Sequence, residues 1–190
     1  MLEIETKIMD VNEFEVLAKL REPKKPYKGP FRTFDGLITV IHFNSPHALL
    51  RVRNEYCKVH NKNKIWITVK DRPLNDGDDI PENVKVLKEI NLQAQADDFE
   101  EAVIFMEALG FTKKETIKKY RSSHSYYIRT GKRIKLEFDR FVGADRPWLE
   151  IEAPTHNLLK ETLKKIGYSL KDGSSKTTEE LYKMEVMEKQ

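Results

Sequence analysis

Glu3-Ile4-Glu5-Thr6-Lys7, near the start of the chain, and Trp148-Leu149-Glu150-Ile151-Glu152, near its far end, are the stretches that decide the fold. Successive side chains of a strand point to opposite faces. Glu3, Glu5 and Lys7 therefore share one face, and Leu2, Ile4, Thr6 and Ile8 take the other. Glu150 and Glu152 likewise stand opposite Leu149 and Ile151. The pattern recurs through the chain. Arg51 and Arg53 oppose Leu50 and Val52; Trp66, Thr68 and Lys70 oppose Ile65, Ile67 and Val69; Glu89, Asn91 and Gln93 oppose Ile90, Leu92 and Ala94. Lys119, Arg121, Ser123 and Arg129 share a face, as do Arg133, Lys135, Glu137 and Asp139 opposite Ile134, Leu136 and Phe138.

The alternation predicts eight strands, over 2–8, 35–43, 48–56, 64–70, 86–95, 119–129, 133–141 and 148–153. Thr130-Gly131-Lys132 reads as the turn of a hairpin. Four amphipathic helices are expected between and after them: from Asp10, read as N-cap, to Glu22; from Asp97 or Asp98 to Leu109; from Thr155 to Ile166; and from Thr177, with Glu180 in capping-box position, towards the end. Residues 23–33 and 71–83, rich in Pro, Gly, Asp and Asn, read as loops.

Composition narrows the class. The chain has 190 residues, 39% hydrophobic and 34% charged, with one cysteine and a formal charge of +3. That is enough apolar material for one core, and a single domain over 1–190 is expected. Cys57 alone supplies no disulfide framework and no multi-cysteine zinc site. No apolar run approaches the ~18 residues of a membrane span. The acidic first residues do not look like a signal peptide, so a cytoplasmic protein is expected. The small net charge does not suggest a stable nucleic-acid complex. The five histidines show no metal-ligand spacing, and His42 is left without a role.

A half-buried sheet would explain any one of these strands, with the charged face in water. It explains all of them less well, because carboxylate pairs and arginine pairs are concentrated on separate strands. A barrel with a charged, hydrated bore and an apolar outer wall under helices accounts for the pattern. The fold class expected is α+β, an eight-stranded antiparallel tunnel. Charges in such a bore require partners or a guest. Arg and Lys converging from several strands call for a polyanion. Carboxylates share a site with a polyanion when a divalent cation bridges them.

These residues resemble the CYTH superfamily, the triphosphate tunnel metalloenzymes. Glu3-Ile4-Glu5-Thr6-Lys7 resembles its ExExK signature. In order follow Leu50-Arg51-Val52-Arg53, similar to LRxR; Trp66 to Lys70, similar to the next strand; Lys119-Tyr120-Arg121, similar to KxR; then Phe138 to Phe141 and Trp148 to Glu152; and finally Ser175 to Leu181, similar to the C-terminal segment. Glu89 and Asn91 stand where many members carry two acids. The resemblance implies that Lys7, Arg51, Arg53, Lys70, Lys119 and Arg121 hold a phosphate chain, joined by Lys176; Lys135, on the face of Glu137 and Asp139, is a further substrate-binding candidate. It implies that Glu3, Glu5, Glu150 and Glu152 hold Mg²⁺ or Mn²⁺, with Glu89 and Asp139 contributing; Glu137, on the face of Asp139, is a further candidate. Lys7, Arg53, Lys70 and Glu89 form the implied catalytic set. The expected partner is a small triphosphate, and a homodimer is compatible with the sequence. The implied function is metal-dependent hydrolysis of a triphosphate (inorganic, thiamine or nucleoside). The alternatives are a class IV adenylyl cyclase and a triphosphate sensor without turnover.

Overall fold

The computed structural model describes residues 2–21, 29–46, 48–58, 60–71, 83–95, 98–128 and 131–187, with the side chains of Leu2 and Glu3 outside the description. Eight strands form one closed antiparallel barrel: β1 (Leu2–Met9), β2 (Phe31–Phe43), β3 (Leu49–Cys57), β4 (Lys62–Asp71), β5 (Lys85–Ala94), β6 (Lys113–Tyr127), β7 (Arg133–Phe141) and β8 (Trp148–Ala153). Around the barrel they run β1-β5-β4-β3-β2-β6-β7-β8, and β8 closes on β1 through pairs such as Lys7 with Glu150. The expected α+β tunnel is therefore the observed fold.

Apolar residues on the outer wall meet three of the four helices. Ile8, Leu136, Leu149 and Ile151 pack under α1 (Glu13–Leu20) and α3 (His156–Ile166), against Leu20, Leu159, Leu163 and Ile166. Ile41, Phe43, Leu50, Val52 and Ile65 pack under Ala102, Val103 and Met106 of α2 (Phe99–Ala108). Ile90 and Leu92 on β5 stay exposed. The fourth helix, α4 (Thr178–Tyr182), is continued by a π-helical turn, Lys183–Met187. It lies at an end of the barrel. Its Leu181 packs with Ile117, Phe141 and Trp148, which by alternation face inward with Lys119, Asp139 and Glu150. In an antiparallel barrel the N-terminal ends of β6 and β8 and the C-terminal ends of β2 and β7 lie together, and α4 plugs that end. Among the described residues no helix is long and apolar enough to cross a membrane.

Several element boundaries differ from the expectation for identifiable reasons. α1 starts at Glu13, because Asn12 and not Asp10 is its N-cap, accepting from the N–H groups of Phe14 and Glu15. Asp10 sits at φ 55°, outside helical space, and pairs with Arg146. Residues 31–33, expected in a loop, open β2, and β6 begins at Lys113 rather than 119. Both extensions exist through pairing with each other's strand: Phe31 faces Ser125, and Phe43 faces Lys113. Residues 23–28 and 72–82 of the two expected loops, Glu22 at the end of the first expected helix, and Arg129 and Thr130 of the hairpin lie outside the described residues.

Candidate active site

Strand register brings the charged faces together in rows. Lys85, Glu5, Glu152 and Lys135 are consecutive partners across β5, β1, β8 and β7. Lys7, Glu150, Glu137 and Ser123 form the next row, across β1, β8, β7 and β6. On the opposite wall Asn91, Thr68, Arg51, His42 and Glu115 run across β5, β4, β3, β2 and β6. Lys70 faces Glu89, and Arg53 faces Trp66. These rows enclose a cavity of about 360 Å³, lined, among the described residues, by eight Lys and Arg side chains and six carboxylates. Its size falls in the range of small-ligand sites.

Most of the described interior cations have a carboxylate within ion-pair distance, yet the cations crowd one another. Lys7 Nζ lies 3.1 Å from Glu5 and 2.9 Å from Glu150. Burial opposes its charge, but Glu150 and Glu5 outweigh burial and raise its pKa. Lys70 lies 2.5 Å from Glu89 and 3.6 Å from Glu5. Burial would raise Glu89; Lys70 and Arg51 overcome it and hold the carboxyl at about 2. Arg121 grips Asp139 with two bonds of 2.6 and 2.5 Å and also pairs with Glu137. Burial alone would raise Glu137, but Arg121 and Lys135 bring it to about 2. Glu150 is held well below its ordinary value against the effect of burial, first by Lys7. Arg51 goes the other way: burial, then the charge of Arg53, pull it down from its ordinary value, with Arg121 adding to the repulsion. Burial brings Lys85 to about 8, with Lys7 as the next cause, and brings Lys119 to about 8, with Arg121 as the next. Like charges held this close favour an anionic guest.

Of the residues singled out from the sequence, Glu5, Lys7, Arg51, Arg53, Lys70, Glu89, Lys119, Arg121, Lys135, Glu137, Glu150 and Glu152 all line this cavity. Asp139 is not among the lining residues; it is 1% exposed and is held by Lys119 and Arg121. Lys176 is exposed, and its Nζ rests 2.9 Å from the Met184 sulfur. Glu3 is paired through its backbone with Leu87.

Among the titratable lining residues, the sequence reading missed three: Lys85, His42 and Asp71, the last of which it placed in a loop although it ends β4. Lys85 shares the inward face of Glu89, but its strand was expected to begin one residue later, at 86. His42 shares the inward face of Val40, and its partner Glu179 is remote in sequence.

The donor set suits a hard divalent cation. One carboxylate oxygen each from Glu5, Glu150 and Glu152 lies within 4.8 Å of the others, and Glu5 Oε2 is buried without a hydrogen bond. Oxygen-only ligands on rigid strands fit Mg²⁺ or Mn²⁺.

A closed barrel with a charged bore and a carboxylate triad defines a class of proteins that bind anions inside a tunnel. The CYTH domain matches residues 1–179, and the chain belongs to the CYTH family, whose known members are triphosphatases or adenylyl cyclases. Among solved structures it is similar to the PH1012 protein of Pyrococcus horikoshii OT3, at 24% identity and TM-score 0.69, over 94% of this chain and 98% of that one. It is also similar to the PH1819 protein of the same organism, at 18% and 0.66, over 98% and 99%. HpAC1 from Hippeastrum, described as having a dominant triphosphatase activity, aligns at 16% and 0.55, over 96% and 95%. At these identities the likeness concerns the fold. No curated protein matches significantly.

Proposed function

We propose that the protein is a divalent-metal-dependent hydrolase of a triphosphate, with the whole chain acting as one tunnel domain. The observation that carries this reading is the convergence of eight cations and the Glu5–Glu150–Glu152 triad on one cavity. Transfer of a phosphoryl group needs neutralised charge and in-line placement more than a covalent nucleophile. Arg51 and Arg53 on β3 offer planar forks to phosphate oxygens, and Arg121 is a third, rigidified by Asp139. Lys7, Lys70, Lys85 and Lys119 supply compact charge around them. Glu5, Glu150 and Glu152 are the residues that would hold the metal. Bound there, it would supply charge neutralisation on the phosphates and lower the pKa of an attacking water. Glu89 orients Lys70 and Arg51, at 2.5 and 3.7 Å. Burial of these groups keeps bulk water from screening them.

The competing reading is adenylyl cyclisation, which uses the same phosphate grip but requires the nucleoside 3′-hydroxyl at the α-phosphorus. No base-recognition element is evident among the described lining residues, which favours hydrolysis. The test is a panel of tripolyphosphate, thiamine triphosphate, ATP and GTP with Mg²⁺ or Mn²⁺ and identification of products. Free phosphate is expected; cyclic AMP with pyrophosphate would establish the cyclase instead, and binding without product a sensor. Glu5→Gln and Arg53→Ala are each expected to lower turnover about 100-fold or more, the scale of losing one transition-state electrostatic contact. Full turnover in both variants would remove these side chains from the mechanism.

A further inference from the structure

His42 lies on the inward face of β2, lines the cavity and is only 2% exposed. Its Nδ1 contacts Glu179 of α4, whose carboxylate is also bound by Lys114 Nζ at 2.7 Å. Neither ring nitrogen makes a hydrogen bond of ordinary geometry among the described residues: Nδ1 is in ion-pair contact with Glu179, and Nε2, on the other side of the ring, has no hydrogen-bond partner there. A buried ring nitrogen left unpaired is costly, and a group of this kind in a native fold calls for an explanation. The neighbouring charges are Glu179 from α4, Arg51 beside it on β3, and Glu115 beside it on β6. A metal does not explain the ring: the described cluster of metal-ligating groups is Glu5, Glu150 and Glu152. An anionic guest does. With Nδ1 held against the Glu179 carboxylate, Nε2 is the ring atom left to donate to a phosphate oxygen.

We propose that His42 is a further phosphate-contacting residue of the tunnel, and that Glu179, reaching in from the C-terminal helix, is its positioning residue. The assignment rests on the triphosphate reading of the cavity and deepens it. His42 extends the phosphate grip along the Arg51 row to the helix α4 that holds its partner Glu179, so the docking of that helix and the affinity for the anion are coupled. The Glu179 carboxylate suits this role. Its contact with His42, then Lys114, holds it at about 2 against burial, and it therefore stays anionic under all ordinary conditions.

Binding of inorganic tripolyphosphate in EDTA tests the contact without turnover. The imidazole ¹⁵N resonances of His42 in the wild-type protein are expected to shift on saturation, with those of the other histidines unchanged. His42→Ala is expected to weaken Kd about tenfold, the scale of a hydrogen bond to a charged group. His42→Gln, which keeps an amide donor, should recover most of that loss, and Glu179→Gln should weaken Kd about threefold. Tripolyphosphate binding that leaves the His42 resonances in place, with the Kd of His42→Ala within twofold of wild type, overturns the proposal while the hydrolase reading stands. A His42 response in a protein that releases no phosphate with Mg²⁺ or Mn²⁺ overturns the hydrolase reading and leaves the contact. Absence of tripolyphosphate binding in EDTA overturns the His42 contact as proposed, while the hydrolase reading is decided by the substrate panel with Mg²⁺ or Mn²⁺.

Discussion

Lys85 shows how one side chain in this bore is tuned by its surroundings. It lines the cavity as the register partner of Glu5, and burial, followed by repulsion from Lys7, brings it to about 8. In the free protein Lys85 is charged below that value and neutral above it. Attraction for an anion is therefore full at pH 7 and weakens as pH rises through about 8. Lys119 discharges over the same range. KM for the preferred triphosphate should accordingly climb between pH 7.5 and 9.5. Lys85→Arg keeps its charge throughout, so its KM at pH 9.5 should rise about threefold less than that of wild type. Lys85→Met should raise KM about tenfold already at pH 7. KM profiles of wild type and Lys85→Arg that superimpose over this range would show that Lys85 does not meet the anion.

At the scale of elements, α4 does more than end the chain. Its start was legible: Thr177 and Glu180 make the reciprocal capping box, with Thr177 N–H donating to Glu180 at 2.6 Å and Glu180 N–H to Thr177 Oγ1 at 3.1 Å. Its destination was not, because a five-residue helix carries too short a stripe to show what it faces. Leu181, 2% exposed, meets Ile117, Phe141 and Trp148, and Tyr182 sits edge-on to Phe141 at 5.2 Å. The strands divide in the same way. Alternation located all eight, but the early parts of β2 and β6 exist through long-range pairing that a local pattern does not contain. Leu181→Ala is expected to cost about 3 kcal/mol by chemical denaturation, the scale of a leucine cavity in a core. Because Thr177 and Thr178 line the cavity and Glu179 holds His42, KM should rise as well. Lost stability with unchanged KM would reduce α4 to a plug.

Over the whole molecule, the sequence carried the sign of the interior charges but not their pairing. ExExK, LRxR and ExE faces pointed to one bore, and register then decided which acid meets which base. Asp139, read as contributing to a metal site, is paired with Lys119 and Arg121, and Glu5, Glu150 and Glu152 bring one oxygen each within 4.8 Å of the others. The network leaves a thermodynamic signature. Glu89 and Glu137 are held at about 2 by neighbouring cations that overcome burial, against about 4.3 in an unfolded chain. Between those values the unfolded chain binds more protons than the folded one. Stability contributed by these carboxylates is therefore complete above about pH 4.3 and is lost as pH falls towards 2. The denaturant midpoint should be flat from pH 7 to 5 and then drop steeply, and Glu137→Gln should be less stable at pH 7 with a shallower drop. The opposite wall predicts the complementary effect. Arg51, Arg53 and Arg121 repel one another, and an anion among them relieves that repulsion. At 100 times its Kd a ligand adds about 2.7 kcal/mol, so tripolyphosphate in EDTA should raise Tm by about 5–10 °C for a chain of this size. The rise should shrink in Arg51→Ala and Arg53→Ala. A Tm that tripolyphosphate leaves unmoved, at concentrations where inorganic sulfate is also inert, would mean that the bore is satisfied by its own carboxylates and takes no polyanion.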